Sequence, residues 1–175
     1  MPFVMLLEFE PHESMPALRR GDADVIITTT DFVGHPLDPA IDLMPLGSDE
    51  VVLVLPPGHQ LTAHDAVPLA ACADQRWIFD VDRSYMSDLS TRLCREAGFE
   101  PAVIGRFNNY MVALQHVEGG GSITLLPSLA VDPRYRVVTR PLSPPVTRRI
   151  TAAVRRPASP RPEITAVLTA LRAAR

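Results

Sequence analysis

The chain has 175 residues and a formal net charge of −3. That length suits one ordinary domain or two small lobes, and the negative balance argues against a broad non-specific nucleic-acid surface. Hydrophobic residues make up 46%, enough to fill a core and to exclude wholesale disorder, while no apolar run approaches the length of a membrane span.

Taken in chain order, residues 3–9 (FVMLLEF) read as a buried strand. They do not make a signal peptide, because no basic region precedes them and Glu8 and Glu10 interrupt the stretch. A cytoplasmic location is therefore expected. Residues 13–20 predict a short helix, poorly capped by His12 or Glu13 and closed by Gly21. Residues 24–28 (DVIIT) predict a strand that runs straight into polar threonines. Residues 51–55 (VVLVL) form an unbroken apolar run, as expected of a strand covered on both faces. Pro56, Pro57 and Gly58 end it.

Residues 77–79 predict another strand, and a helix follows in which Leu89, Leu93 and Ala97 share a face, with Gly98 beyond its end. Residues 102–107 predict a strand. Asn108 or Asn109 then caps a helix whose Tyr110, Leu114 and Val117 share a face. Residues 123–126, 137–139 and 150–154 predict three further strands. Ile164, Val167, Leu168 and Leu171 mark a final amphipathic helix. Strands and helices thus alternate, which predicts an α/β fold with some parallel pairing. Breaks at 56–58 and 143–145 predict two lobes. The expected division is residues 1–56 with 149–175 as lobe I, and residues 57–148 as lobe II.

The stretch HVEGGGSITLLP, residues 116–127, has the glycines of a phosphate loop or a nucleophile turn. Both readings fail. The chain has no lysine for a Walker loop. The order is helix, glycines, strand, the reverse of a dinucleotide fingerprint, and a G-x-S-x-G elbow around Ser122 would need glycine at Thr124. A helix-to-strand turn is the expected use. Residues 80–91 resemble a calcium loop at Asp80, Asp82 and Ser84, but Tyr85 and Thr91 stand at its two geometry-setting positions. Ser84 or Ser87 reads as a helix cap instead. The five histidines are scattered, and Cys72 and Cys94 match no zinc spacing. They read as buried free thiols. No metal, cofactor or catalytic residue is expected.

One placement recurs. Thr28, Thr29 and Thr30 follow one predicted strand, residues 80–84 follow a second, and Asn108 and Asn109 follow a third, the last two preceding helices. In open α/β folds, ligands gather at strand C-ends where helix N-termini offer N–H groups. Small hydroxyls and amides there suit a small molecule, often an anion. Capping and loop polarity alone also account for these residue types.

The segments ALRRGDADVIITT, PLGSDEVVLVLPPGHQL, VPLAACADQRWIF and VEGGGSITLLPSLAV, in this order and spacing, resemble the effector-binding domain of LysR-type transcriptional regulators. The resemblance covers nearly the whole chain. It implies a fold like the type II periplasmic binding proteins: two Rossmann-like lobes joined by two crossing strands, with an effector between them. It implies no enzyme, but a regulatory domain that senses a small molecule, a carboxylate among the candidates. A solute-binding protein of a transport system is the alternative. Family members open with a helix-turn-helix, a linker helix and a first strand and helix of this domain. None of these is seen here, so DNA contact is expected only through that absent part. Homodimers or higher homo-oligomers are implied, and no membrane partner. By position, the effector contacts carry over to Thr28, Thr29 and Thr30, to Ser84 and Tyr85, and to Asn108 and Asn109. A family glycine falls on Ser122. If Ser122 takes that glycine's left-handed backbone, Ser122→Gly should be neutral or stabilising.

Overall fold

The structure, a computed structural model, describes residues 4–29, 38–156 and 161–173. The chain divides into two compact units, residues 1–48 with 148–175, and residues 49–147. Two long strands run from one unit into the other: β2 (Ile41–Leu55) and β7 (Val138–Arg155). Among the described residues, no helix is long and apolar enough to cross a membrane.

In the first unit, α1 (Pro11–Arg20) leads through Gly21 into β1 (Val25–Thr29). The start of α1 is better capped than expected. The Glu10 carbonyl accepts the N–H groups of Glu13 and Ser14, each at 2.9 Å, and the Glu13 carboxylate accepts the Glu10 N–H at 3.0 Å. Gly21, at φ 88°, closes the helix by donating to Ala17 at 3.1 Å. Arg155 reinforces that end by donating to the carbonyls of Leu18 and Ala23. β1 runs antiparallel to β7, from Val25 opposite Val154 to Thr29 opposite Ile150. The core of this unit is Leu18, Ile26, Ile41 and Ala153, with Met15 and Ala23 packed against it. α4 (Pro162–Ala173) is the predicted last helix, but its apolar stripe is only half-buried.

Residues 4–9 contradict the expected buried strand. They form no strand, and Leu6 is 89% exposed. Phe3 lies outside the described residues. Apolar composition favours a strand only where a sheet edge is available to receive it.

In the second unit, the predicted run Val51, Val52, Leu53, Val54 and Leu55 is buried on both faces. Val51, Leu53 and Leu55 enter a large cluster with Trp77, Phe79, Leu89 and Ile123. Val52 and Val54 pack on the other side with Leu114, Val117 and Leu126. Alternation along a strand explains the split. This run pairs antiparallel with β6 (Thr124–Pro127). A short strand, β3 (Val67–Pro68), runs parallel to β7 at Leu142 and Ser143. β4 (Arg76–Phe79) and β5 (Ala102–Arg106) pair in parallel, and a bridge from Trp77 to Ile123 joins β4 to the start of β6. α2 (Tyr85–Glu96) follows β4, and α3 (Tyr110–Glu118) follows β5.

Two further expectations need correction. The strands predicted at 137–139 and 150–154 are one strand, β7, which continues through the proline-rich stretch at 143–145. The strand predicted at 51–55 is the last third of β2. Proline ends a strand only where its missing N–H was needed by a neighbour, which local sequence cannot reveal.

Candidate functional site

The parallel pairing of β4 and β5 sets Phe79 opposite Arg106. Their C-terminal ends therefore lie side by side, and the Phe107 N–H donates to the Phe79 carbonyl at 3.1 Å. Two of the three polar strand ends singled out from sequence are brought together here, within one unit. Each leads into a helix N-terminus.

After β4, the Ser84 N–H closes a turn onto the Val81 carbonyl at 3.2 Å, with Arg83 at φ 69°. Among the described residues, Arg83 is the non-glycine residue with a left-handed backbone. That conformation costs about 1–2 kcal/mol, and such strain clusters at functional turns. Ser84 is buried, and its Oγ accepts the Ser87 N–H at 3.1 Å. The hydroxyl thus caps α2, as expected. Tyr85 is 7% exposed and belongs to the core cluster around Trp77. After β5, Asn109 caps α3 by accepting the Met111 N–H at 2.8 Å. Asn108 and Asn109 are both exposed.

Arg106 ties the two ends together, and sequence inspection missed it. Its guanidinium donates to the Asp80 carbonyl at 3.1 Å and to Ser87 Oγ at 2.9 Å. It pairs with Asp82 at 3.2 Å and lies 5.9 Å from the centre of the Phe79 ring. The available signal was a charge at the last position of a half-buried strand, next to the loop already chosen. An open groove of about 440 Å³ runs from Arg106 and Asp82 along α2 past Ser87 and Arg92. Its arginines are already matched: Arg92 with Glu96 at 3.4 Å, and Arg95 with Glu100 at 2.7 Å. An anion approaching Arg106 meets the charge of the Asp82 carboxylate, which is 75% exposed and lies 3.2 Å from the Arg106 guanidinium.

Thr28 and Thr29 lie in the first unit, at the C-terminal end of β1. Both are buried, and they pair with Thr151 and Ile150 of β7. Thr30 lies outside the described residues.

The glycine stretch is a turn. Gly120 carries the left-handed backbone, at φ 84°, and Ser122 does not. The Ser122 hydroxyl is buried beside Nδ1 of His116. The two cysteines lie in the same core cluster as Trp77. Burial pushes the Cys72 thiol up to about 11 and the Cys94 thiol up to about 12. Both stay protonated and unreactive near neutral pH.

The sequence profile described as the LysR substrate binding domain matches residues 4–175. The DNA-binding transcriptional dual regulator OxyR of Escherichia coli (strain K12) is 28% identical over 158 residues, which cover 89% of this chain and 50% of that protein. The chain thus spans about half the length of the curated relatives it matches. The C-terminal domain of a probable LysR family transcriptional regulator from Rhodococcus sp. RHA1 is 27% identical with a TM-score of 0.75, over 94% of this chain and 81% of that one. The effector-binding domain of QuiR, solved in complex with shikimate, superposes with a TM-score of 0.76 at 22% identity, over 95% of this chain and 78% of that one. The architecture is the α/β, periplasmic-binding-protein-like fold of these effector-binding domains. With a profile match over nearly its whole length, the chain belongs to the LysR substrate-binding-domain family.

Proposed function

We propose that this chain is the effector-sensing part of a LysR-type transcriptional regulator, and that it is not an enzyme. The observation that carries this reading is the family match over residues 4–175, joined to the paired strand ends beside two helix N-termini. The relatives matched are transcriptional regulators, which favours a regulator over a transport protein. The division into two compact units supports a two-lobed reading.

The candidate effector contacts form two sets. Ser84, Tyr85, Asn108 and Asn109 serve in the second unit, and Thr28 and Thr29 in the first, with Thr30 next to them in sequence. In the second unit the contacts on offer are the exposed asparagine side chains beside the start of α3, since the Ser84 hydroxyl is engaged in capping. These groups suit a small anionic or polyhydroxylated molecule, a carboxylate being the leading class. The similar QuiR domain was solved with shikimate, and the similar CcmR regulatory domain of Synechocystis PCC6803 with 2-PG. Each is an observation on that protein, and together they guide the choice of compounds. The chain works without a cofactor, in the cytoplasm, and as a homo-oligomer. Operator contact belongs to the DNA-binding part of such regulators.

Thermal-shift screening against small carboxylates and phosphorylated acids tests this. A ligand present at a hundred times its Kd stabilises the folded chain by about 2.7 kcal/mol. A stabiliser whose effect is lost in Asn109→Ala supports the reading. Turnover of any screened compound by the purified chain would overturn it.

A further inference from the structure

The groove along α2 in the second unit is balanced in charge. Its wall carries three guanidiniums, Arg92, Arg95 and Arg106, and three carboxylates, Asp82, Asp88 and Glu96. Arg92 pairs with Glu96, and Arg95 pairs with Glu100. The charges left to a ligand are therefore Arg106, Asp82 and Asp88. Asp88 stands exposed in the first turn of α2, and among the described residues its carboxylate has no partner.

The Arg106–Asp82 pair is only half engaged. Arg106 Nη1 donates to the Asp80 carbonyl and to Ser87 Oγ, and Nε faces Asp82 Oδ1 at 3.2 Å. Among the described residues, Nη2 has no acceptor and Asp82 Oδ2 has no donor. A free donor and a free acceptor thus lie side by side in an open groove. The donor is fixed in direction, because Ser87 is buried and the Arg106 side chain is 33% exposed. A simple anion at Nη2 is repelled by Asp82 and Asp88, and a simple cation at Asp82 is repelled by Arg106. A molecule with both charges on neighbouring atoms meets neither penalty. Its carboxylate accepts from Nη2 while its ammonium donates to Asp82 Oδ2 beside Asp88, and the Arg106–Asp82 pair stays intact.

We propose that this groove binds a free α-amino acid, recognised through its ammonium and carboxylate together. The proposal rests on the effector-sensing reading above and narrows it from carboxylates at large to zwitterions. At about 440 Å³ the groove lies within the range of small-molecule sites. Its continuation past Thr91, Arg92 and Glu96 is polar, so a polar side chain is expected on the amino acid.

Calorimetry of the whole chain with each proteinogenic L-amino acid tests this, with two analogues of every hit: the acid lacking the amino group and the amine lacking the carboxyl group. At least one amino acid is expected to bind, and each of its analogues at least about tenfold more weakly. Asp82→Asn should weaken the amino acid about tenfold and strengthen the deaminated acid. The Asp82 side chain is 75% exposed, so this variant retains the fold, which circular dichroism checks. A deaminated acid that binds as tightly as its amino acid, or an amino acid indifferent to Asp82→Asn, overturns the zwitterion proposal and leaves effector sensing standing. So does binding of a plain carboxylate from the thermal-shift screen when no amino acid binds. Absence of binding in both panels overturns both readings.

Discussion

The Ser122 hydroxyl sits 2.9 Å from Nδ1 of His116, joining the last turn of α3 to the entry of β6. Gly120, not Ser122, supplies the left-handed backbone of this turn. Ser122→Gly therefore removes a hydrogen bond and relieves no strain. It should destabilise the chain by about 1 kcal/mol, reversing the sign expected from the family pattern alone. Ser122→Ala should cost a similar amount. Urea unfolding of both variants measures this, and an unchanged midpoint would refute it.

At the strand ends, Asp82 competes with any anion for Arg106. Asp82→Asn removes the competing charge and leaves Arg106 bound to Ser87 and the Asp80 carbonyl. A carboxylate effector found by screening should then bind several-fold more tightly, by calorimetry. Arg106→Ala should weaken it and also loosen the start of α2. Equal affinity in all three proteins would remove Arg106 from the site.

Arg83 holds a left-handed backbone at φ 69° between β4 and the α2 cap. Arg83→Gly should raise stability by up to about 1 kcal/mol, since glycine adopts that conformation without a Cβ clash. Thermal unfolding checks it. A loss of stability would show that the arginine side chain holds the turn.

The thiols offer a redox test. Cys72 and Cys94 are buried in the core, and burial pushes them to about 11 and about 12. At pH 7 both should remain unmodified by millimolar peroxide in the folded chain, and both should react in denaturant. Mass spectrometry reads this directly. Rapid oxidation of either native thiol would contradict the burial argument.

Acid should release the Glu118–Arg136 pair, which holds the segment before β7 against the end of α3 at 2.9 Å. Hydrogen bonds from the Arg136 side chain and backbone hold the Glu118 carboxyl below its ordinary value of 4.5. A lowered folded value means that the charged form favours the folded state. The contribution is thus present in full above pH 4.5 and fades as the pH falls through the lowered value. The stability gap between wild type and Glu118→Gln should close in that acid range and stay constant above it. A gap that widens with acid would reverse the assignment.

Much of the local structure was legible in the sequence. The two-faced burial of Val51 to Leu55, the Ser84 and Asn109 caps, and the helix ending before Gly98 all follow from neighbouring residues. So does the turn at 119–121. The candidate residues Ser84, Tyr85, Asn108 and Asn109 are proposed from their place after strands. Arg106 escaped notice because its role depends on a carbonyl, a hydroxyl and a carboxylate contributed by another strand end.

What the sequence determined by itself is what short-range geometry can specify: apolar periodicity, caps, glycine turns and the ordered segments that mark the family. What the tertiary structure decided is which strand edges meet. Residues 4–9 have the composition of a buried strand and lie in solvent, while 143–145 look like a break and are crossed by β7. Side-chain burial and backbone pairing require a partner far along the chain, as Val25 requires Val154, and no local pattern says whether that partner is within reach.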